Sequence, residues 1–525
     1  MTESNSFNVV LVKPSKYARD GHVERFRRGF MPNSTLLHLK SLTPREISGR
    51  QVTVVTIDEY TQTSLDYLER LRPETCSLLA LVGVQSHQIQ RALDLTALAR
   101  TNGVQNCVIG GPHVMTCDTS EVHGHGVSFA LAEAELIWPA IVRDAFEGEL
   151  RPVYGSEQRW QSNLEPPAMV PPTPADLRPY IIPMVGVYPA RGCPYNCNFC
   201  SVVKIAGKKV RSQPVETTVR SLIAAREAGV RLVVFASDNF NKYPEAQALL
   251  EAMIDARVGL PFFVQCDAQV GRDEEFIKLL ARAGCAQVFV GVESFNRKLL
   301  SGARKNHNDP GHYADLVRLC HQNHVSTHFS NILGFPEQEE ADVLHHLREL
   351  RAVRPFMASF YILAPIPGTD QYDDFLAQDL ITETNLDRFD ATSLIWKHPL
   401  FSARKLSELL CRAYREFYGA SDVLVKMFGH RWNAPFYVHA LGIGYAAFAR
   451  FAVRRGMHPM AGGFLPVAID KVEDYLPLRR RVFGIDRLQL PQSLKVSNAA
   501  DRMLYQDLSA LPLRDLAGPH APRPL

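Results

Sequence analysis

Three cysteines stand close together in ARGCPYNCNFCSV, residues 190–202: Cys193, Cys197 and Cys200, separated by three and then two residues. This spacing puts three thiolates on one tight loop, where they can converge on a single metal centre. They do not complete a four-ligand zinc site, and no fourth Cys or His follows at a zinc-like interval. They suit a four-iron cluster in which three irons are held by Cys and the fourth is open to a small-molecule ligand. The competing reading is three buried thiols or an adventitious metal loop. Against it, Arg191-Gly192, Pro194 and the apolar residues ahead of them suit a shaped loop at the end of a strand.

Such a loop needs a scaffold. Apolar stretches fall at 184–188, 232–236, 262–265, 287–292, 327–334 and 358–364, with helical patterns between them, as at 214–228 and 274–283. Six strands alternating with helices predict a partial parallel barrel with its chemistry at the carboxyl ends of the strands. The Cys loop follows the first strand. The other strand ends carry Ser237-Asp238-Asn239, Gln265-Cys266-Asp267, Glu293-Ser294, Asn331 with Gly334, and Pro365-Ile366-Pro367-Gly368-Thr369. Asp238 is as well suited to capping the next helix as to binding a ligand, and Glu293 alone is a weak signal. Cys266, Cys285, Cys320 and Cys411 show no paired spacing and read as apolar residues.

A second alternating unit precedes the barrel. Apolar runs at 7–12, 52–57, 78–84 and 107–109, with a helical stretch at 88–99, predict a doubly wound sheet whose crevice lies at the strand ends. Gly83 and Ser86 close the third run, and Gly110 and Gly111 the fourth. These are small residues where a large flat ligand can approach the backbone. Residues 154–180 are rich in Pro and read as a linker laid over a surface. The division expected is 1–153, linker 154–180, barrel 181–375 and a helical region 376–525.

In that last region, Leu406, Leu409, Leu410, Ala413 and Phe417 share one helical face. The apolar stretch 435–453 has the length of a membrane span, but His439, Arg450, Arg454 and Arg455 favour a packed or interfacial helix. Contact with a membrane surface is the second expectation for it. A net charge of +3 shows no commitment to nucleic acid. Ten cysteines, three of them clustered, suit a reducing cytoplasm, and the start MTESNSFNVV lacks a basic-then-apolar signal pattern. A cytoplasmic protein, with membrane association as the variant, is expected.

The Cys spacing, with Phe199 just before the last Cys, resembles the radical S-adenosylmethionine (SAM) family. VGVQSHQIQRA (82–92), IGGPHV (109–114) and ALAEAELIWPAIV (130–142) resemble the cobalamin-binding domain placed before many radical SAM cores. Ala132 stands where that domain usually has Gly before the paired acids Glu133 and Glu135. Cobalt-ligating domains carry Asp-x-His-x-x-Gly; here Asp20-Gly21-His22 is followed by Arg25 in place of Gly. His22 therefore reads as a loop residue, with no histidine ligand from the protein to cobalt. A Rossmann-like scaffold without a cofactor is the plainer reading of this unit.

Together the order resembles the class B, cobalamin-dependent radical SAM methyltransferases over about residues 7–420. The resemblance implies a [4Fe-4S] cluster on Cys193, Cys197 and Cys200, and SAM on the open iron. It implies that Glu293 and Ser294 serve the ribose and methionine portions, that the turn 332–336, with Gly334, packs on adenine with backbone help from Phe199, and that Asn331 is a further SAM-site candidate. It implies methyl transfer through cobalamin to an unactivated carbon, with flavodoxin or ferredoxin as electron donor. The apolar tail points to an apolar small-molecule substrate, with a hopanoid-type lipid first. Natural-product (antibiotic) precursors, tetrapyrrole cyclisation and a non-enzymatic iron–sulfur sensor are the alternatives.

Overall fold

The computed structural model describes residues 6–164, 169–419, 436–459, 462–496 and 499–505. Pro166 and Pro167 of the expected linker and the first residue of the stretch 435–453 lie outside them. The strands are β1 (Ser6–Lys13), β2 (Phe26–Gly29), β3 (Glu46–Ile47), β4 (Arg50–Asp58), β5 (Leu78–Leu81), β6 (Asn106–Gly110), β7 (Ser128–Ala130) and β8 (Val153–Tyr154). They continue with β9 (Met184–Val187), β10 (Ala190–Arg191), β11 (Arg211–Ser212), β12 (Leu232–Phe235), β13 (Phe262–Cys266), β14 (Cys285–Glu293), β15 (Ser326–Leu333), β16 (Met357–Ile362) and β17 (Gly463–Pro466).

The first sheet has the order β3-β4-β1-β5-β6-β7-β8, parallel except for the short antiparallel β3 at its edge. β1 reads SFNVVLVK because both its faces are covered. Val10 and Val12 enter one core with Leu79 and Leu81. Phe7, Val9 and Leu11 enter another with Leu78, Ala80 and Trp138. The order of the chain through the sheet reverses between β1 and β5, and at such a switch point a crevice opens beyond the strand ends.

The second sheet has the order β16-β15-β14-β13-β12-β9, all parallel. Helices such as Val215–Glu227, Glu274–Ala283 and Glu340–Val353 fill the crossovers, giving the expected open six-stranded barrel. Glu274–Ala283 begins where Asp273 accepts a hydrogen bond from Phe276 N and ends at left-handed Gly284. The Cys loop is an excursion between β10 and β11, which pair antiparallel as Ala190↔Ser212 and Arg191↔Arg211.

Two expectations change. The Pro-rich stretch is not simply laid over a surface: Trp160 and Leu164 are buried, and Trp160 Nε1 donates to Ile205 O at 2.6 Å. The tail is not only helical. Its β17 pairs with β2 near the start of the chain, Asp470 accepts from Arg25, and Arg479 donates to Asp94 of the helix Ile89–Thr101. In the helix Ala403–Phe417 the five residues of the apolar face are buried.

Candidate functional site

The Cys loop is held from several sides. Gly192 N donates to Asp238 Oδ2 at 3.0 Å, and Cys193 N to Gly207 O at 3.1 Å. Gly192 sits at φ 103°, and a Cβ there would lie 2.4 Å from Lys209 O, so glycine is required. Asn198 ties the loop to the end of the helix Arg297–Gly302 that follows β14, its backbone N donating to Ala303 O and its Nδ2 to Gly302 O. Asp238 caps no helix; Asn239 occupies that position. Asp238 anchors the loop instead, and burial pushes its carboxyl up.

All three thiols are free and half-buried. Burial pushes Cys193 up to about 11 and Cys200 up to about 12, and raises Cys197. A thiol so protonated becomes a thiolate only by exchange of its proton for metal. No group of three His, Cys, Asp or Glu among the described residues is placed around a single ion. A cluster asks for something else, one thiolate on each of three irons, and three free thiols on one anchored loop fit it.

Beside the loop, β14 ends in Glu293, held at φ 59° where its register against β15 shifts. A non-glycine residue in that conformation is strained and marks a position fixed by its surroundings. Glu293 is buried and accepts from Lys305 Nζ at 2.9 Å. The following helix is capped by Asn296, so capping is not the role of Glu293. Burial opposes the charge on Lys305, but Glu293, Cys197 and Cys200 hold its ammonium above the ordinary range. Its Nζ lies 5.7 Å from the centre of the Phe199 ring. Lys305 had no sequence signal: it lies twelve residues past Glu293, with no motif to mark it.

The remaining predicted residues of the barrel are placed as follows. Ser294 is buried, its Oγ accepting from Asn296 N at 3.1 Å. Asn331 is buried with its side chain fully engaged: Nδ2 donates to Phe329 O and Ser359 O, and Oδ1 meets His346 Nε2 at 2.9 Å. It braces β15 against β16 rather than presenting a free amide. Gly334 sits at φ 86°, and a Cβ would lie 2.7 Å from Leu406 Cδ2 of the tail helix. At the neighbouring strand ends, Asp267 and Asn239, marked in the sequence, join Asn241, Lys242, Gln269 and Tyr195, which were not. Asp267 accepts from Asn239 Nδ2 and Asn241 Nδ2, both at 3.0 Å, and Gln269 Oε1 accepts from Lys242 Nζ and Tyr195 OH.

The two sheets meet at four charged side chains. Arg191, between β9 and the Cys loop, bonds Glu135 at 2.7 and 3.1 Å, while Arg211 bonds Glu133 at 2.7 and 2.8 Å. His38 Nε2 joins Glu135 Oε1 at 2.7 Å. The paired acids thus hold the two strands that flank the Cys loop. Ala132 in place of Gly before them is accommodated because Gly155 faces it, where a Cβ would lie 2.3 Å from the Ala132 Cβ.

Next to these pairs lies a cavity of about 260 Å³. Gly83, Gly110, Gly111, Ala132 and Trp138 line it from the first sheet, and Tyr188, Arg191, Ala236 and Asp238 from the barrel. A Cβ on Gly111 would lie 2.1 Å from Val84 N, and one on Gly110 3.1 Å from the Ala130 Cβ, so the strand ends are pared to backbone. Ser86 is not on the lining; its Oγ bonds His113 Nδ1 at 3.0 Å in the buried layer behind it. Burial pushes His113 down to about 4. At the switch point, the buried Lys13 donates to Gly83 O and Gln88 Oε1, and burial, opposed by Asp58, brings its ammonium to about 7. Arg25 is committed elsewhere, buried and paired with Glu59 and Asp470. His22 is a partly exposed loop residue whose Nδ1 is 3.2 Å from Asp20 Oδ2.

The barrel and its Cys loop define the class of this part of the chain: residues 187–350 match the model of the radical SAM superfamily, so the chain carries a radical SAM domain. That domain takes a [4Fe-4S] cluster and SAM. The chain is 26% identical over 346 residues to bacteriochlorophyllide d C-12(1)-methyltransferase of Chlorobaculum tepidum, covering 64% of this chain and 73% of the relative. It is 25% identical over 324 residues to hopanoid C-2 methylase of Rhodopseudomonas palustris, covering 58% and 60%. Its fold is that of the radical SAM methyltransferase TsrM from Kitasatospora setae, solved with cobalamin and a [4Fe-4S] cluster bound. There the TM-score is 0.60 at 16% identity, covering 86% of this chain and 99% of that one.

Proposed function

We propose that this enzyme transfers a methyl group to an unactivated carbon of an apolar small molecule, with cobalamin in the cavity between its two sheets. The observation that carries the reading is that one cavity is shared by the glycine-pared strand ends of the first sheet and by Tyr188, Arg191 and Asp238 beside the Cys loop. A group seated there lies against both halves of the molecule. When bound, the cluster supplies the electron that cleaves SAM, and cobalamin supplies the methyl group.

The chain's own residues then divide the work. Cys193, Cys197 and Cys200 hold the cluster. Glu293, with Lys305 and Ser294, takes the polar portions of SAM, and the turn 332–336 shapes the adenine side with Asn331 just before it. Asn331 does this by bracing strands, since its amide is engaged. Gly83, Gly110 and Gly111 let a broad planar cofactor approach the backbone, and Ser86 sets His113 behind them. Cobalt receives no histidine from the protein, because Arg25 fills the position where a ligand loop needs Gly and His22 is turned to Asp20. Flavodoxin or ferredoxin supplies the electron.

Among substrates, a hopanoid-type lipid is our first reading, supported by the likeness to hopanoid C-2 methylase. A tetrapyrrole is the second, supported by the likeness to a bacteriochlorophyllide methyltransferase. The test is anaerobic incubation of cluster- and cobalamin-loaded enzyme with SAM, a reductant and each candidate, followed by mass analysis. A product heavier by one methyl group, formed with 5'-deoxyadenosine, is expected from the hopanoid. The same product from the tetrapyrrole alone would move the assignment there. A ring closure without added methyl, or SAM left intact, would overturn the reading.

A further inference from the structure

We propose that the face built by β2, β17 and the end of the helix Phe436–Arg454 docks on an anionic lipid surface. The three segments meet through aromatic rings: Phe30 lies 5.3 Å from Phe448, and Phe448 lies 6.4 Å from Phe464. Around this seam large apolar side chains face solvent. Met31 is 57% exposed, Phe451 51%, Leu465 50% and Phe464 41%. Leu465 is held at φ 60°, a conformation costly for a leucine, within the exposed part of β17. Scattered single apolar residues need no explanation, but a contiguous group drawn from three separate segments does.

Charge selects the occupant. Arg27, Arg28, Arg454 and Arg455 are exposed beside the same residues, and the Arg455 guanidinium covers the Phe451 ring at 5.1 Å. The stretches 26–31, 436–456 and 462–469 contain no Asp or Glu. Apolar side chains flanked by arginine, on segments that carry no carboxylate, match an interface of acyl chains below anionic headgroups. The same arginines disfavour a second copy of the chain, since a two-fold contact would set arginine against arginine. No helix among the described residues is long and apolar enough to cross a membrane, so the contact is with the surface. The inference rests on this face alone and holds whichever substrate is methylated.

The test is flotation of the full, cluster-loaded chain with phosphatidylcholine vesicles, with and without phosphatidylglycerol, at low and high salt. Binding to the anionic vesicles is expected, weakened as salt shortens the range of the charges. Arg27→Glu with Arg28→Glu should lower it by about tenfold or more. Phe464→Ser with Leu465→Ser should do the same, with iron content and circular dichroism unchanged. Should the β17 variant fail to fold, Arg454→Glu with Arg455→Glu on the helix serves in its place. A chain that stays in the soluble fraction with anionic vesicles overturns the proposal, as does binding indifferent to these substitutions. A dimer by light scattering that Phe464→Asp abolishes would assign the face to a second copy and also overturn it.

Discussion

Arg191 and Glu135 are joined by two hydrogen bonds, Nη2 to Oε1 at 2.7 Å and Nη1 to Oε2 at 3.1 Å. Arg191 stands two residues before Cys193, and Glu135 lies in the first turn of the helix Ala134–Glu147 packed on the first sheet. Burial alone would raise the Glu135 carboxyl, but the Arg191 guanidinium and His38 hold it well below the ordinary carboxylate range. The Cys loop is therefore tied to the unit that lines the cavity.

Removing one partner of this pair strands a largely buried charge. Glu135→Ala should lower stability by about 3 kcal/mol, read from the urea midpoint at neutral pH. Arg191→Ala should cost a similar amount, and the double variant less than the sum of the two. Additive losses would show that the two side chains do not act as a pair.

The cluster should depend on each of three thiols and on no others. Cys193→Ala, Cys197→Ala and Cys200→Ala should each fail to assemble a full [4Fe-4S] cluster on anaerobic reconstitution. Cys285→Ala and Cys411→Ala should load like the parent, because neither lies on the loop. Iron counting with the visible spectrum decides it; a full cluster without Cys197 would refute the ligand assignment.

Glu293 should bind SAM and leave the iron alone. A charge-assisted hydrogen bond is worth about 1.5–3 kcal/mol, and about 1.4 kcal/mol is a factor of ten. Glu293→Gln should thus weaken SAM binding by about tenfold to a hundredfold with iron content unchanged. Lys305→Met should weaken it as well, since it removes the partner that holds the Glu293 carboxylate. Unchanged affinity and unchanged 5'-deoxyadenosine formation in both variants would leave the two residues as a structural pair.

Cob(II)alamin bound to the enzyme should show no nitrogen hyperfine splitting from a coordinated imidazole in electron paramagnetic resonance. His22→Ala should leave the spectrum as it is. Splitting in the parent that this substitution removes would contradict the placement of Arg25 and His22.

Stability should rise with pH across the window set by His113. Its folded value is about 4, below the ordinary histidine value of about 6.5. Between these, the unfolded chain binds the proton and the folded chain does not, so acid favours unfolding. The contribution, up to about 3 kcal/mol, is intact above the unfolded value and is lost as pH falls toward 4. His113→Asn should flatten the slope of unfolding free energy from pH 6.5 to 4 relative to the parent. Equal slopes would place the titration elsewhere.

Short-range features were legible in the sequence because local physics decides them. The spacing of Cys193, Cys197 and Cys200 puts three thiols on one loop whatever surrounds it. Apolar runs such as 7–12 and 287–292 mark strands covered on both faces. Gly192, Gly111 and Gly334 stand where backbone meets backbone or needs φ above zero. Partners distant in the chain were decided only by the tertiary structure. The period of a strand says which side chains share a face but not which element covers that face, so Lys305 beside Glu293 and Cys197 carried no signal. Neither did Asp238 under Gly192, nor Glu133 and Glu135 against Arg211 and Arg191. The engagement of the Asn331 amide is likewise decided only where β16 and His346 arrive to bond it. β17 pairs with β2 across more than four hundred residues, a contact set by the packing of the whole chain.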